Sequence, residues 1–450
     1  MKPLKIGITG VRGIVGETFT PELAVEFAQA FGAYLDGGRI VVCRDTRPSG
    51  PMVCAAVTAG LLATGCEVID LGICPTPTMQ LAVKHFNVQG GISITAGHNP
   101  SQWNALKFVR DDGLYLNATQ AEELLDIFHQ GEFPKAKWNE IKTGIETRDA
   151  ISHHIEVLKK AFDVATICAR NLTVAVDCCN GASALLVPRL LEELGCTVLA
   201  INDDITAPFP HNPEPKRETM AQLRAVVKAG RADIGFAHDA DGERIGIVAE
   251  TAEPLSEEMT LAIAADIKLS RTPGTVVTNI STTRAIDVIA ARHNSRVIRT
   301  QVGTAYISEA ILEHQAVLGG EGNGAVAIPE IQATNDSAAA IVLILETMAK
   351  SGKRISEIAA GLPQYAMLKH YVLVAPNLLF SLLNDLREEV ESAGANEVDL
   401  SDGIKLIWPD GWLHVRASNT ESMIRVIAEA ENEKRAEEML SWARDRLGRG

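Results

Sequence analysis

The regular alternation of predicted strands and helices restricts the possible folds of this sequence more than any other feature. Apolar runs rich in β-branched residues, such as 39–43 and 172–177, predict buried strands, and a helical segment follows each of them. Helix starts are marked as well: Thr20 is a predicted N-cap, Pro21 suits the first helical position, and Glu22 falls in the first turn. Alternation of this kind is typical of α/β layers with largely parallel strands.

Three rounds of this alternation follow one another, and each ends in a loop that contains glycine. With 450 residues, the chain exceeds what a single hydrophobic core usually fills, so several domains are expected. After about residue 363 the order becomes strand, helix, strand and a final charged helix, which predicts a smaller α+β unit. The predicted domains are three α/β units followed by this α+β unit, with boundaries at 1–148, 149–252, 253–362 and 363–450.

Composition argues against several classes of function. The formal net charge of −15 disfavours a nonspecific nucleic-acid binder or a protein of anionic membrane surfaces, since both classes rely on excess Lys and Arg. The eight cysteines lack paired C-x-x-C spacing and the first residues lack an apolar signal core, so a cytoplasmic protein is expected. No run of about 18 apolar residues predicts a membrane span, and no oligomeric state is predicted.

The segment 91–107 is the first candidate for chemistry. It reads as a buried strand that breaks into the loop Ala-Gly-His-Asn-Pro at 96–100 and ends near a lone cation, Lys107. Open α/β sheets bind ligands at the carboxyl ends of their strands, so this loop is expected to contact substrate. Among the scattered histidines, only His98 is assigned to function, because it stands beside Gly97.

Three acidic residues at every second position form a candidate metal site. Asp239, Asp241 and Glu243 surround a glycine in a predicted strand-to-strand turn, so their side chains can point at one centre. Ligands that offer only oxygen suit a hard cation such as Mg²⁺. The alternative is a solvated acidic turn, which the apolar strands on both sides make the less favoured interpretation. Arg244, directly after this turn, could balance its charge or hold a phosphate.

Arginines beside glycines or hydroxyl groups mark two further candidate sites. Arg12 lies in a glycine-punctuated segment whose backbone can approach a ligand closely. In the segment 416–425, Ser418, Asn419 and Thr420 form a predicted tight turn between two arginines. Backbone amides, hydroxyl groups and guanidinium groups together make a phosphate cradle, which is favoured here over an ordinary turn.

A glycine-dense segment, 319–324, contains one acid and one amide, Glu321 and Asn323. These side chains suit sugar hydroxyl groups better than phosphate, because a carboxylate repels an anion. A flexible hairpin turn is an equally good interpretation of this segment taken alone.

Together these segments resemble the α-D-phosphohexomutases, the superfamily of phosphoglucomutase, phosphomannomutase and phosphoglucosamine mutase, over essentially the whole chain. The resemblance rests on six segments in the family's order: 10–13, 44–47, 95–107, 239–244, 320–324 and 416–425. It implies an α/β fold with three consecutive mixed α/β domains around a cleft plus a smaller C-terminal α+β domain. It also implies Mg²⁺ as cofactor and a phosphorylated hexose or hexosamine as ligand.

The resemblance further implies a reaction. A phosphoserine enzyme phosphorylates a sugar monophosphate, and the resulting 1,6-bisphosphate reorients and returns the other phosphate, so that the 1-phosphate and 6-phosphate of a hexose or hexosamine interconvert. The Gly-Glu-Gly-Asn-Gly sequence at 320–324 gives a mild preference for glucosamine phosphate. The implied roles are metal ligands for Asp239, Asp241 and Glu243; acid/base or electrostatic groups for Lys107 and Arg12; sugar contacts for Glu321 and Asn323; and phosphate contacts for Arg416, Ser418, Asn419, Thr420 and Arg425.

The chain departs from the superfamily pattern at one position of consequence. Gly97 stands where the pattern has the phosphorylated serine, and it has no side chain to phosphorylate. The chain also departs from the pattern at three less important positions. Glu243 replaces the third aspartate of the metal loop, residues 239–244; Asn323 replaces a serine of the sugar loop, residues 320–324; and Ser422 replaces a proline. Glu243 is one methylene longer than aspartate and can still bind a cation.

Gly97 leaves three interpretations open. A neighbouring side chain, His98, Ser101 or Thr95, accepts the phosphate instead; or phosphate passes between bound sugar phosphates without a covalent intermediate; or the protein is a noncatalytic phosphosugar-binding or regulatory protein. The metal loop, residues 239–244, and the phosphate loop, residues 416–425, retain their charged groups. Catalysis is therefore preferred over binding alone.

Overall fold

In the computed structural model, which describes residues 4–142, 145–375, 378–418 and 423–448, four β-sheets follow one another along the chain. The first three sheets carry helices between their strands, and the fourth is antiparallel. The expected fold class, three mixed α/β domains and a smaller C-terminal domain, is therefore confirmed. The four domain boundaries themselves stay a prediction. No helix in these described ranges is both long and apolar enough to cross a membrane.

The first unit is built on a seven-stranded mixed sheet with the order β1-β2-β6-β5-β3-β4-β7. The predicted helix after Thr20 is present, and the Thr20 side chain accepts a hydrogen bond from the Leu23 N–H. The elements are β1 (Lys5–Gly7), β2 (Gly10–Ile14), α1 (Pro21–Tyr34), β3 (Arg39–Arg44), α2 (Gly50–Ala63), β4 (Glu67–Ile73), α3 (Thr76–His85), β5 (Gly90–Ile94), β6 (Trp103–Arg110), α4 (Ala118–Gln130) and β7 (Ile145–Thr147).

The second and third units are each built on a four-stranded sheet, ordered β11-β10-β8-β9 and β13-β12-β14-β15. Each sheet ends in an antiparallel hairpin, β10–β11 or β14–β15. The elements of the second unit are α5 (Ile151–Ala161), α6 (Val164–Arg170), β8 (Thr173–Asp177), a 3₁₀ turn (Ala182–Leu185), α7 (Val187–Glu193), β9 (Thr197–Ile201), α8 (Ala221–Gly230), β10 (Ile234–His238) and β11 (Ile245–Ala249). Those of the third unit are α9 (Glu257–Arg271), β12 (Thr275–Asn279), α10 (Ala285–Arg292), β13 (Arg296–Thr300), α11 (Thr304–His314), β14 (Leu318–Glu321), β15 (Ala325–Ala327), α12 (Ser337–Ser351) and α13 (Ile355–Ala360).

One hydrophobic core is shared by the second and third units. Leu190 and Phe236 from the second unit belong to the same buried cluster as Leu261 and Ile341 from the third. A buried contact between side chains also joins the two units: His154 Nε2 lies 3.0 Å from Asp336 Oδ2. The two units therefore exclude water jointly from this shared cluster.

The fourth unit is a five-stranded antiparallel sheet, ordered β16-β20-β19-β18-β17, with two α-helices and a core of its own. Its elements are β16 (Ala366–Leu373), α14 (Leu379–Glu388), a 3₁₀ turn (Val390–Ala393), β17 (Glu397–Asp399), β18 (Ile404–Trp408), β19 (Gly411–Ala417), β20 (Met423–Ala430) and α15 (Glu433–Leu447).

Candidate active site

A cleft of about 620 Å³ lies where the four units meet, and each unit contributes side chains to its wall. This volume is within the usual range for sites that bind small molecules, about 300–1,000 Å³. Although the whole chain is acidic, the cations that line the cleft outnumber its carboxylates. The lining cations are Lys5, Arg12, Lys107, Lys216, Arg244, Lys369, Arg416 and Arg425, and the lining carboxylates are Glu214, Glu243, Glu257, Glu258 and Glu321. The cleft is therefore suited to an anionic ligand.

The loop after β5 carries Gly97 and His98 into this cleft, as expected for the carboxyl end of a strand. The buried guanidinium of Arg47 holds the loop in place. Its Nη2 donates to the backbone oxygens of Gly97 and Asn99, each at 2.7 Å. Its Nη1 donates to Pro100 O at 2.6 Å and Trp103 O at 3.1 Å, and its Nε donates to Asp45 Oδ2 at 2.9 Å. Arg47 thus fixes four carbonyl groups of one loop through a single side chain.

Gly97 is held in a left-handed backbone conformation with φ of +54°. The Gly97 N–H donates to Thr95 Oγ1 at 2.9 Å, and the Thr95 hydroxyl donates to Asp45 Oδ2 at 2.6 Å. A Cβ atom at position 97 would lie 3.5 Å from both carboxylate oxygens of Asp241, which is an ordinary contact distance. A small side chain therefore fits beside Asp241, although this backbone conformation favours glycine.

His98 is half-buried and faces a group of cations. Burial and the positive charges of Arg244 and Arg12 lower its pKa well below the ordinary value. The imidazole is consequently neutral at pH 7 and has a free lone pair on one ring nitrogen.

The predicted metal-binding residues lie at the floor of the cleft, in the turn between β10 and β11. Asp239 and Asp241 are buried beneath the surface of the cleft, while Glu243 reaches its lining. Asp239 Oδ1 accepts hydrogen bonds from the backbone N–H groups of Glu243 and Arg244, at 3.0 and 3.1 Å. Burial and the neighbouring Asp241 charge raise the pKa of the Asp239 carboxyl.

Lys107 joins this turn to the first unit. Its ammonium lies 2.6 Å from Asp241 Oδ2 and 2.9 Å from Glu243 Oε2. Burial opposes the charge of Lys107, but the two carboxylates outweigh it and raise the lysine pKa. The same ion pair outweighs burial at Asp241 and lowers the pKa of that carboxyl. Tyr115 donates a short hydrogen bond to the other oxygen of Glu243.

The three carboxylates fit a hard cation in their chemistry. Asp241 and Glu243 already converge on one positive charge, the Lys107 ammonium. Asp241 Oδ1 is buried, and within the described part of the chain no donor reaches it. In the same residues no group of three His, Cys, Asp or Glu side chains is arranged as a preformed metal site. A cation bound here would share its ligands with Lys107.

The glycine-dense segment forms a β-hairpin, and this hairpin lines the cleft. Glu321 is the last residue of β14, and its two oxygens accept from Asn279 Nδ2 at 2.8 Å and Asn323 Nδ2 at 3.4 Å. Lys369, from β16 of the fourth unit, donates to Gly322 O at 3.2 Å and to Glu258 Oε1 at 2.7 Å. The sugar-loop hairpin is therefore tied to the C-terminal unit.

The C-terminal unit supplies the cations at the other end of the predicted site. Arg416 on β19 and Arg425 on β20 are directly opposite in the antiparallel pair, and both line the cleft together with Ser418. Asp402 lies 3.3 Å from Arg416 Nε. The remaining two predicted phosphate contacts, Asn419 and Thr420, lie outside the described residues.

Several residues of the cleft were not predicted from sequence as site residues. Tyr115, Asn279 and Lys369 reach it from elements that carry no motif. For Arg47, an available signal was its place in a polar turn at the carboxyl end of β3, two residues after an aspartate. Lys369 offered no signal, since its carboxylate partner Glu258 is 111 positions away.

Family models of phosphoglucomutase/phosphomannomutase match the chain in four consecutive segments. The α/β/α domain I matches residues 3–135, domain II residues 152–252, domain III residues 256–365 and the C-terminal domain residues 381–442.

Individual relatives match over nearly the full length. A phosphoglucomutase/phosphomannomutase of Thermococcus kodakarensis is 41% identical, with 96% of each chain covered. A phosphoglucosamine/phosphogalactosamine mutase of Sulfurisphaera tokodaii is 32% identical, with 97% of each covered. The crystal structure of a phosphoglucomutase/phosphomannomutase family protein from Burkholderia thailandensis matches with a TM-score of 0.87 at 27% identity, covering 99% of this chain and 98% of that one. The N-acetylphosphoglucosamine mutase of Aspergillus fumigatus, solved with GlcNAc-6P and magnesium, matches in fold with a TM-score of 0.57 at 18% identity, covering 91% of this chain and 82% of that one.

Proposed function

Because the chain belongs to the phosphoglucomutase/phosphomannomutase family and is thus a phosphohexomutase, we propose that it interconverts the 1-phosphate and 6-phosphate of a hexose or hexosamine in a Mg²⁺-dependent reaction. The proposal is carried by one observation: four groups of residues meet in the same cleft. They are the loop of Gly97, the carboxylate turn (residues 239–243), Glu321, and the paired arginines Arg416 and Arg425. The carboxylates, Glu321 and the arginines are suited to hold a metal ion, a sugar and a phosphate, respectively.

Positioning and electrostatics supply most of the catalysis of phosphoryl transfer. In the proposed mechanism, Arg416 and Arg425 hold the phosphate that is not reacting. Glu321 accepts hydrogen bonds from ring hydroxyl groups, and Arg12 offsets charge on the reacting phosphate. After the first transfer the bisphosphate turns end for end, so that the same residues act on the second phosphate.

Asp239, Asp241 and Glu243 are the proposed ligands of Mg²⁺, which when bound would neutralise charge on the transferring phosphoryl group. The buried, unpartnered Asp241 Oδ1 supports this assignment. Lys107, which pairs with Asp241 and Glu243, is the proposed acid/base or electrostatic group for the reacting phosphate.

The preferred sugar is the part of the proposal that depends most on relatives. Asn323 and Glu321 face the cleft on the sugar-loop hairpin. The name of the Sulfurisphaera tokodaii relative includes phosphoglucosamine, which supports the mild preference for glucosamine phosphate. The Thermococcus kodakarensis relative is named for glucose and mannose phosphates, so these sugars belong in the same test.

The proposal is tested by ³¹P NMR of the purified protein with glucose, mannose or glucosamine 1-phosphate, Mg²⁺ and catalytic glucose 1,6-bisphosphate. The 6-phosphate resonance is expected to appear for at least one sugar and to be abolished by EDTA and restored by excess Mg²⁺. Absence of isomerisation for all three sugars would exclude the mutase function. Gly97 favours one alternative, a noncatalytic phosphosugar-binding protein, which predicts saturable binding of a sugar phosphate with no new resonance.

A further inference from the structure

Three side chains near Gly97 could carry a phosphoryl group, and the structure separates them. The Thr95 hydroxyl is buried, donates to Asp45 and accepts from the Gly97 N–H. Ser101 is exposed and does not contribute to the cleft lining. His98 lines the cleft, so it alone of the three is presented to a ligand there.

Within the described part of the chain, the imidazole of His98 is also free of the kind of hydrogen bonds that occupy the Thr95 hydroxyl. Among the residues that the structure describes, none makes a hydrogen bond to its ring, although the ring is half-buried. The charges that act on it are the cations Arg244, Arg12, Arg425 and Lys107. A polar ring without a partner, surrounded by positive charge, is suited to contact an anion.

We infer that His98 is the covalent phosphoryl acceptor of this protein and takes the place of a phosphorylated serine. This inference rests on the proposed mutase function and deepens it, because it names the residue through which the phosphate passes.

The transfer step is balanced. A ring nitrogen of His98 attacks the phosphorus of a sugar bisphosphate, a P–N bond forms, and the P–O bond to the sugar carbon's oxygen breaks. The imidazole loses its N–H proton, and water relays this proton to the departing sugar oxygen. The products are phosphohistidine and a sugar monophosphate. The reverse step, on the other hydroxyl of the sugar, completes isomerisation.

The charges around His98 favour both halves of this step. Its neutral imidazole offers a lone pair at pH 7, which a histidinium would lack. Arg12, Arg244 and Lys107 then face a phosphohistidine dianion, which they stabilise more than the neutral ring.

The test uses the full-length protein incubated with Mg²⁺ and glucose 1,6-bisphosphate, then digested under neutral or alkaline conditions. Mass spectrometry of the peptides from residues 91–107 should locate one phosphoryl group on His98, stable to base and lost in mild acid. His98→Gln should abolish this label and lower isomerisation by about three orders of magnitude or more, as expected for loss of a covalent nucleophile. His129→Gln, the same change at an exposed histidine outside the cleft, should retain both.

Each other outcome overturns the inference. An acid-stable phosphate on Ser101 or Thr95, or a label that persists in His98→Gln, would place the acceptor elsewhere. Isomerisation without any phosphoprotein would show transfer between bound sugars, leaving the mutase function intact. Because the peptide map reads the native protein directly, a folding defect in His98→Gln cannot imitate a result. Absence of isomerisation in the NMR assay is a separate readout and would overturn the proposed function.

Discussion

At the scale of single residues, one buried arginine, Arg47, fixes the position of the loop that carries Gly97 and His98. All five N–H groups of a guanidinium can donate, and Arg47 uses its three nitrogens to hold four backbone carbonyls and Asp45. No lysine can reproduce this planar fork. Arg47 holds the loop of Gly97 but does not line the cleft, so we expect it to act as a positioning residue.

Replacement of Arg47 by lysine should lower kcat by about a hundredfold with little change in KM, because misplacing a catalytic group by about 1 Å has this effect. The melting temperature should fall too, since buried carbonyls lose their donors. Steady-state kinetics and thermal unfolding check both expectations. Arg189→Lys, at an exposed arginine on α7, is the matched control and should change neither. An unchanged kcat in Arg47→Lys would remove the positioning role.

Gly97→Ser tests whether the pocket still accepts the usual nucleophile. The variant should fold with a free energy of unfolding lower by about 1–2 kcal/mol, the cost of a left-handed conformation for a residue with a Cβ atom. Gly131→Ser, at a helix end with φ of +67° and open space around it, should cost a similar amount. Phosphopeptide mapping should find additional, acid-stable phosphate at position 97. A folded but unphosphorylated and inactive variant would show that the pocket has diverged around glycine.

At the scale of secondary structure, strand ends place the functional groups and their neighbours. The β10–β11 and β14–β15 hairpins present the carboxylate turn and Glu321, while β19 presents Arg416 and, two residues earlier, His414. His414 is buried, with Nε2 at 2.6 Å from Asp402 O and Nδ1 at 2.8 Å from Ser281 Oγ in the third unit. Because a carbonyl can only accept, the Nε2 atom carries the proton and Nδ1 accepts from Ser281.

His414 should make the protein less stable in mild acid. Burial and the nearby Lys405 charge lower its pKa to about 4 in the folded state, against an ordinary value of 6.5. Between pH 6.5 and 4, His414 is therefore protonated in the unfolded chain but mostly neutral in the folded chain. The contribution of His414 to stability should be present in full above pH 6.5 and should fall by about 3 kcal/mol as the pH approaches 4.

Urea unfolding between pH 7.5 and 4.5 measures this effect. The free energy of unfolding of His414→Gln should depend less steeply on pH than that of the native protein over this range. His129→Gln, at an exposed histidine, should keep the native slope. Equal slopes for His414→Gln and the native protein would show that folding leaves the pKa of His414 unchanged.

At the scale of the whole molecule, the alternation of strands and helices predicts a domain boundary that the hydrophobic core does not follow. The predicted boundary at 252–253 separates two rounds of strand and helix, but the buried cluster that includes Phe236 and Ile341 crosses it. The buried hydrogen-bond contact between His154 and Asp336 also crosses it. Breaking such a cluster would expose apolar surface from both units.

Fragments test this joint core. A fragment of residues 149–362 should unfold in one cooperative transition, whereas a fragment of residues 149–252 should fail to show one, because it lacks more than half of the buried residues of the shared cluster. Circular dichroism of the two fragments during urea titration measures the difference. The fourth unit, residues 363–450, has a separate core and serves as the control that should fold by itself. Independent cooperative folding of 149–252 would contradict a shared core.

The sequence by itself determined the elements and the types of chemistry. Hydrophobic periodicity and capping residues are local, so the helix after Thr20 and the strand Thr197–Ile201 were predictable from neighbouring residues. Spacing of like side chains is local as well, and it indicated the carboxylate turn and the arginine pair. Glycine at position 97 was also visible in the sequence, and it raised the question of which residue accepts phosphate.

Only the tertiary structure decided which of these groups meet and which are available. Lys107 pairs with carboxylates 134 and 136 positions away, and Lys369 reaches the sugar-loop hairpin from another unit. It also separated His98, which lines the cleft, from Thr95, which is buried in hydrogen bonds. The physical reason is that these contacts depend on how the four units pack around the cleft. That packing results from many interactions between residues far apart in sequence, which a local sequence pattern cannot predict.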